Sequence, residues 1–294
     1  TLRWLAVAPV IGLPGHAMSP VEIRCGVADE FMPPLTASTE ATLRARTINA
    51  SMPLSARSNA SHYFGGQRVL VIRVDFSDLS GESVSLATAQ SVMDNEVGPF
   101  FAQSSYGQTS MVSTVTAKVY RLPQTSVAYA TGADLLKSSV DNNSADQLHA
   151  DALAVAQSDY SPADYDRFIV AFPVLNAVTG FNWWGLADYA GSRVWINGNF
   201  KFEVVAHELG HTYGAPHASA WRGSLSDPIA PTGTRVPYGD LSDLMGGGHT
   251  AENDFSAYTK WLIGWLPDAA VQTVQVTGRY RVYRYDTMDA NLQH

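Results

Sequence analysis

From residue 67 onward the hydrophobic positions fall into alternating strand and helix periods. Residues 68–74 (Arg-Val-Leu-Val-Ile-Arg-Val) form a β-branched, mostly apolar run, which predicts a buried strand. Residues 85–102 carry Val92, Met93, Val97, Phe100 and Phe101 on one stripe and read as a helix. A turn at Tyr106-Gly107-Gln108 leads into residues 111–122, where Val112, Val115, Ala117 and Val119 mark a half-buried strand. Residues 145–157 form a second amphipathic helix through Leu148, Ala152, Leu153 and Val155, and residues 167–172 form another buried strand. Two shorter strands follow at 185–189 and 193–196, the first a candidate sheet edge. Asn199 is a candidate cap for a helix running on through Val204, Val205 and Leu209.

Past Gly214 the periodicity is broken by Pro216, Gly223, Pro228, Pro231, Gly233 and Pro237. Residues 257–265 read as a last helix, and 271–285 alternate through Val274, Val276, Tyr280 and Val282 as strands do. The order of elements predicts an α/β (α+β) domain over 67–267, with residues 268–294 opening a C-terminal β region cut short at His294. Upstream, residues 36–61 are rich in Ser, Thr, Ala, Asn and Arg with no apolar period. This sets an exposed linker at 36–66 and leaves 1–35 as a separate leading segment.

Composition narrows the partners. The 294 residues are 46% hydrophobic, ordinary for a globular protein, and the net charge of −8 argues against nucleic acid. No apolar run approaches the roughly 18–20 residues that span a bilayer. A single cysteine, Cys25, rules out an intrachain disulfide framework. The chain begins at Thr1 rather than Met and reads as a fragment or a processed form. Leu5 to Leu13 is a short apolar run after Arg3, readable either as the remnant of a secretory signal or as a short buried or disordered segment. Three triplets, such as Asn59-Ala60-Ser61, fit the glycosylation pattern and are too common to weigh.

The chemistry concentrates in His207-Glu208-Leu209-Gly210-His211-Thr212-Tyr213-Gly214-Ala215-Pro216-His217. Residues four apart share a helix face, with Cβ atoms about 5–6 Å apart, so His207 and His211 can reach one metal from successive turns. Glu208 projects about 100° around the helix and stays free to act as a base. Gly214 can end the helix in a left-handed conformation, and the chain then returns His217 as third ligand. Three protein ligands with one open position are the arrangement of a catalytic zinc, whereas structural sites are closed by four. With average residue usage, these five positions arise by chance in roughly one chain in 10⁵.

This motif resembles that of the metzincin zinc endopeptidases. Tyr238-Gly239-Asp240-Leu241-Ser242-Asp243-Leu244-Met245-Gly246, followed by Lys260-Trp261-Leu262-Ile263-Gly264-Trp265-Leu266, is most similar to the gametolysin (autolysin) family. The resemblance covers roughly residues 67–267. It implies a twisted mixed sheet with helices above a cleft, a loop-rich lower subdomain, and an edge strand that binds extended substrate by strand addition. It also implies that Met245, which taken alone is core filler, forms a methionine turn beneath the ligands. Where some metzincins carry a tyrosine two residues after that methionine, this chain has Gly247, which leaves transition-state stabilisation to the metal and backbone donors. His249 nearby reads as a solvated histidine.

Arg24-Cys25-Gly26-Val27-Ala28-Asp29 is similar to the cysteine switch of matrix metalloproteinases, with Ile23 and Ala28 in place of that motif's prolines. Either Cys25 is an inert buried thiol, or it is a latch whose thiolate closes the fourth zinc position until the linker is cut, with Arg46 and Arg57 as candidate cleavage points.

The expected function is that of a secreted, monomeric zinc endopeptidase acting on extended polypeptide of extracellular matrix or cell walls. His207, His211 and His217 hold the metal, and Glu208 takes a proton from water and passes it to the leaving amine. Calcium, common in the wider clan, has no loop motif here to which it can be assigned. The alternative from another class is a proteolytically silent binding or adhesion module with a structural zinc. Glu208 argues against it, because a closed site has no use for that carboxylate. A third reading, an intracellular zinc hydrolase of non-peptide substrates, is weakened by the loop-rich lower half and the switch-like segment.

Overall fold

The computed structural model describes residues 60–130, 143–175, 181, 183–223, 232–248, 253–271, 274, 276–281 and 283–286. The Cys25 segment, both candidate cleavage points and His249 lie outside the described residues.

The described elements are α1 (Ala60–Tyr63), β1 (Gly65–Asp75), α2 (Leu86–Val92), α3 (Gly98–Ser104), β2 (Thr109–Val115), β3 (Tyr120–Arg121), α4 (Ser126–Ala130), α5 (Asn143–Ala156), β4 (Arg167–Phe172), β5 (Gly185–Ala187), β6 (Arg193–Asn197), α6 (Phe202–Thr212), β7 (Ala220–Arg222), β8 (Thr234–Val236) and α7 (Ala257–Leu262). The main sheet runs β2-β1-β4-β6-β5, with β3 paired to the end of β1. All its pairings are parallel except β5 with β6, so β5 is an antiparallel edge strand, as expected for residues 185–189.

Alternation along β1 divides the core. Val69 and Val71 join Ile169, Ala171 and Ile196 under α2, α3 and α6. Leu70, Ile72 and Val74 join Val170, Phe172 and Trp195 under α5. Both faces are thus covered, which is why the strand reads as an unbroken apolar run.

Several expectations need correction. The helix over 85–102 is interrupted by a π-helical turn at Met93–Val97, where the Gly98 N–H reaches back to Met93 O. Pro99 has no N–H to donate and crowds the preceding turn, so the ladder widens there. The strand over 111–122 is split between β2 and β3. Buried Arg73 causes the break: its Nη2 donates to Thr116 O at 2.9 Å and Ala117 O at 3.0 Å, drawing those carbonyls out of the ladder. Asn199 does not cap α6; Lys201 holds that position without a side-chain bond. No strand occurs among the described residues of 271–286. At the other end, Tyr63 and Phe64 are buried in the main core cluster, so the folded unit begins before the expected boundary at residue 67.

Helix α6 packs into the first of these two core halves through Phe202, Val204, Val205, Ala206 and Leu209. All its residues except Glu203 are buried. Its C-terminal end rests on Arg167, fully buried, whose Nε donates to Thr212 Oγ1 at 2.9 Å and whose guanidinium lies 4.1 Å from the Tyr213 ring centre. Nη1 and Nη2 donate to Gln67 Oε1 and His62 O. A cation at a helix C-terminus complements the helix dipole.

Candidate metal centre

Helix α6 presents His207 and His211 one turn apart, with ring centres 4.9 Å from each other. The chain then stops by a Schellman turn. Gly214 has φ of 84°, its N–H donates to His211 O at 2.8 Å, and the Ala215 N–H donates to Gly210 O at 3.1 Å. This reversal returns His217 with its ring centre 4.7 Å from that of His211 and 5.4 Å from that of His207. One potential ligand atom from each histidine lies within 4.8 Å of the others, and all three residues are buried.

Hydrogen bonds orient the rings. His207 Nδ1 donates to Leu244 O at 2.9 Å and His211 Nδ1 to Ala215 O at 2.8 Å. A ring that donates from Nδ1 keeps a lone pair on Nε2, the usual setting of a metal-binding histidine. His211 Nε2 faces His217 Nε2 at 3.0 Å. Two nitrogens bound to one tetrahedral zinc stand about 3.3 Å apart, so this pair is close to the spacing a zinc ion requires. Burial, with the two neighbouring imidazoles, holds His211 well below the ordinary histidine range and keeps it an uncharged donor. A donor set of three imidazoles suits zinc or another borderline ion rather than calcium or magnesium, which take oxygen ligands.

Glu208 is fully buried at the edge strand. A Cβ placed on Gly185, the first residue of β5, would stand 2.4 Å from Glu208 Oε1. The carboxylate therefore occupies the space a side chain at Gly185 would fill.

Met245 lies directly under α6, where a Cβ on Gly210 would come within 2.6 Å of its Sδ. Gly210 is what lets the turn approach so closely. Asp243 builds that turn: its Oδ1 accepts from Met245 N at 2.8 Å, its Oδ2 from Ser256 N at 2.8 Å, and its backbone O from Gly246 N and Gly248 N. Burial pushes the Asp243 carboxyl up to about 6, against the opposing effect of these hydrogen bonds. Helix α7 braces the far side. Ser256 Oγ caps it, Asp254 O accepts from Leu244 N, and buried Lys260 pairs with Asp254 Oδ2 at 2.5 Å. The turn and helix α7 thus form one support that aims the Leu244 carbonyl at His207.

Residues 81–279 match the family described as Gametolysin peptidase M11. The chain belongs to this gametolysin peptidase family. Among solved structures, metalloproteinase-II from Bacteroides fragilis is similar at 12% identity, with a TM-score of 0.35 over 69% of this chain and 54% of that one. The chain thus spans about half of that structure's length. No curated protein matches in sequence.

The structure of this gametolysin-family chain brings His207, His211, His217, Glu208 and Met245 together. It adds three residues that sequence reasoning missed. Gly210 stood in a variable position of the motif, and Gly185 was only the start of a short strand. Tyr238, whose hydroxyl lies 3.0 Å from His217 Nε2, stood in a loop 21 residues downstream. The glycine pattern was the available signal for the first two, and the third opened the segment 238–246 that resembles the gametolysin family, without a role being read from it.

Gly185 offers a sharp test. Gly185→Ala forces the Glu208 carboxylate aside, and a displacement of about 1 Å in a reacting group costs on the order of 10²-fold. Casein cleavage is expected to fall by about that factor with zinc content and thermal midpoint nearly unchanged. Unaltered cleavage would mean that the carboxylate position is not critical.

Proposed function

We propose that this chain is a zinc-dependent endopeptidase. The observation that carries the reading is a buried carboxylate, Glu208, set between three convergent imidazoles and an antiparallel sheet edge. His207, His211 and His217 would hold the ion. Zinc in such a site supplies Lewis acidity, which polarises a peptide carbonyl and acidifies water.

Glu208 then takes a proton from water at its carboxylate and delivers it to the departing amine nitrogen. Among the described residues β5 pairs with no strand besides β6, and a free sheet edge suits an extended polypeptide that adds as a strand. The Leu244 and Ala215 carbonyls hold the two helix imidazoles in register throughout. The close approach of Met245 to Gly210 supports reading this turn as the methionine turn of a metzincin.

Secretion, action on matrix or cell-wall protein, and a monomeric enzyme complete the proposal. Secretion is supported by the apolar run after Arg3, and the substrate class by the family resemblance. No helix among the described residues is long and apolar enough to cross a membrane. Latency through Cys25 rests on the Arg24-Cys25-Gly26-Val27 motif. Under that reading Cys25→Ser yields a full-length chain that cleaves casein without prior processing. A variant as silent as the unprocessed parent would leave the thiol with a structural role.

The decisive experiment is a casein or gelatin zymogram beside metal analysis. One zinc per chain and clearing that 1,10-phenanthroline abolishes and added zinc restores are expected. Clearing that survives the chelator would remove the metallopeptidase reading.

A further inference from the structure

Tyr238 is the feature of the metal centre that the mechanism above does not use. It sits in the turn after β8 with φ of 53°, a left-handed backbone uncommon for a tyrosine. Such conformations persist where the surroundings enforce them, often at functional sites. Here Gly239 N donates to Val236 O at 3.0 Å and Gly247 N to Asp240 O at 2.8 Å, tying the turn to the methionine turn. A Cβ on Gly247 would meet Leu241 Cδ2 at 2.6 Å and the Tyr238 carbonyl at 3.2 Å, so a side chain there would crowd this turn. The result is a phenol ring against the third histidine, with centroids 4.3 Å apart and the hydroxyl 3.0 Å from His217 Nε2.

That nitrogen has one lone pair. In the tautomer that can bind a metal, Nε2 accepts the hydrogen bond from Tyr238 only while the metal is elsewhere. A metal held by His217 Nε2 would take that same lone pair, with the Tyr238 hydroxyl kept beside the triad by its turn. A pre-positioned neutral donor next to a Lewis-acid site is well placed to stabilise charge that develops during reaction.

We propose that Tyr238 is a catalytic residue of this site. Its hydroxyl donates a hydrogen bond to the carbonyl oxygen of the scissile peptide as negative charge gathers on that atom. The proton stays on the tyrosine throughout, and Glu208 alone carries the proton from water to the amine. The inference rests on the endopeptidase reading. It replaces the sequence-based expectation that only the metal and backbone donors stabilise the transition state.

The test is Tyr238→Phe, compared with the parent on a peptide substrate and a phosphinic peptide that mimics the tetrahedral state. Loss of an oxyanion donor lowers kcat by about 10²–10³-fold. KM is expected to stay within about threefold, because the interaction forms only as charge develops. Calorimetric affinity for the phosphinic peptide should weaken in parallel with kcat, while affinity for a product peptide holds. Zinc affinity measured by chelator competition should also hold.

Unchanged kcat overturns the proposal. So does weaker zinc binding with undiminished kcat per bound zinc, which would make Tyr238 a positioning residue for His217. Should the variant fail to fold, 13C labelling of the tyrosine Cζ in the parent protein gives a second measurement. The Tyr238 resonance should move on adding the phosphinic peptide and not on adding product, and an unmoved resonance overturns the proposal. A parent protein that holds zinc yet cleaves no peptide removes the endopeptidase reading itself, whereas a cleaving parent with an equally active Phe variant removes only the role of Tyr238.

Discussion

Glu208→Ala is expected to lower kcat/KM on casein by about 10²–10⁴-fold, the range for loss of a positioned general base, with one zinc per chain retained. The separation of the two effects follows from geometry. The three imidazoles converge without any carboxylate among them, so removing Glu208 takes nothing from the metal. The same carboxylate fills the space beside Gly185 at the sheet edge, where an added strand would run. Deleting it leaves a small buried gap and removes a buried carboxylate, and stability should change little. Glu208→Gln preserves the shape and should be as inactive, because an amide does not accept the proton. Cleavage by either variant within tenfold of the parent would assign the base elsewhere.

His211→Ala is expected to abolish both zinc binding and proteolysis. His211 is almost fully buried and lies within reach of both other ligands. Its loss leaves two ligands and an unpaired Ala215 carbonyl, which alone costs about 1–3 kcal/mol. Zinc at 1,000 times its dissociation constant stabilises a folded site by about 4 kcal/mol, so the parent should melt higher with zinc and the variant should not respond.

The pH dependence has a defined sign as well. Burial holds His211 below its unfolded value of 6.5, so the unfolded chain takes the proton first. Stability of the metal-free parent therefore falls as pH drops below about 6.5, and the His211→Ala variant lacks that contribution. A zinc-dependent melting shift in the variant would exclude His211 as a ligand.

Legibility in the sequence varied from element to element. Strand β4 occupies the predicted residues 167–172, buried in both core clusters, and α5, packed on one of them, lies within two residues of its predicted ends. The break between β2 and β3 was hidden, since it depends on Arg73 reaching carbonyls 43 residues away. The π turn had a local sign in Gly98-Pro99, which a count of apolar positions passes over. Over residues 271–285 alternation alone predicted strands, and none is found among the described residues of that stretch.

The sequence by itself picked out the proposed ligand triad, the proposed base and the helix stop that joins them. Their spacing is enforced by one helical turn and one left-handed glycine, and both are local geometry. The methionine turn was also legible, as a position downstream of the motif. Only the tertiary structure decided what surrounds them: Gly185 against Glu208, Met245 under Gly210, the Leu244 carbonyl on His207, and the Tyr238 hydroxyl at His217. Each of these contacts joins residues on different elements, 21 to 37 positions apart. They exist because a sheet edge, a helix and two loops close on one point, and that closure is a property of packing that no local pattern records.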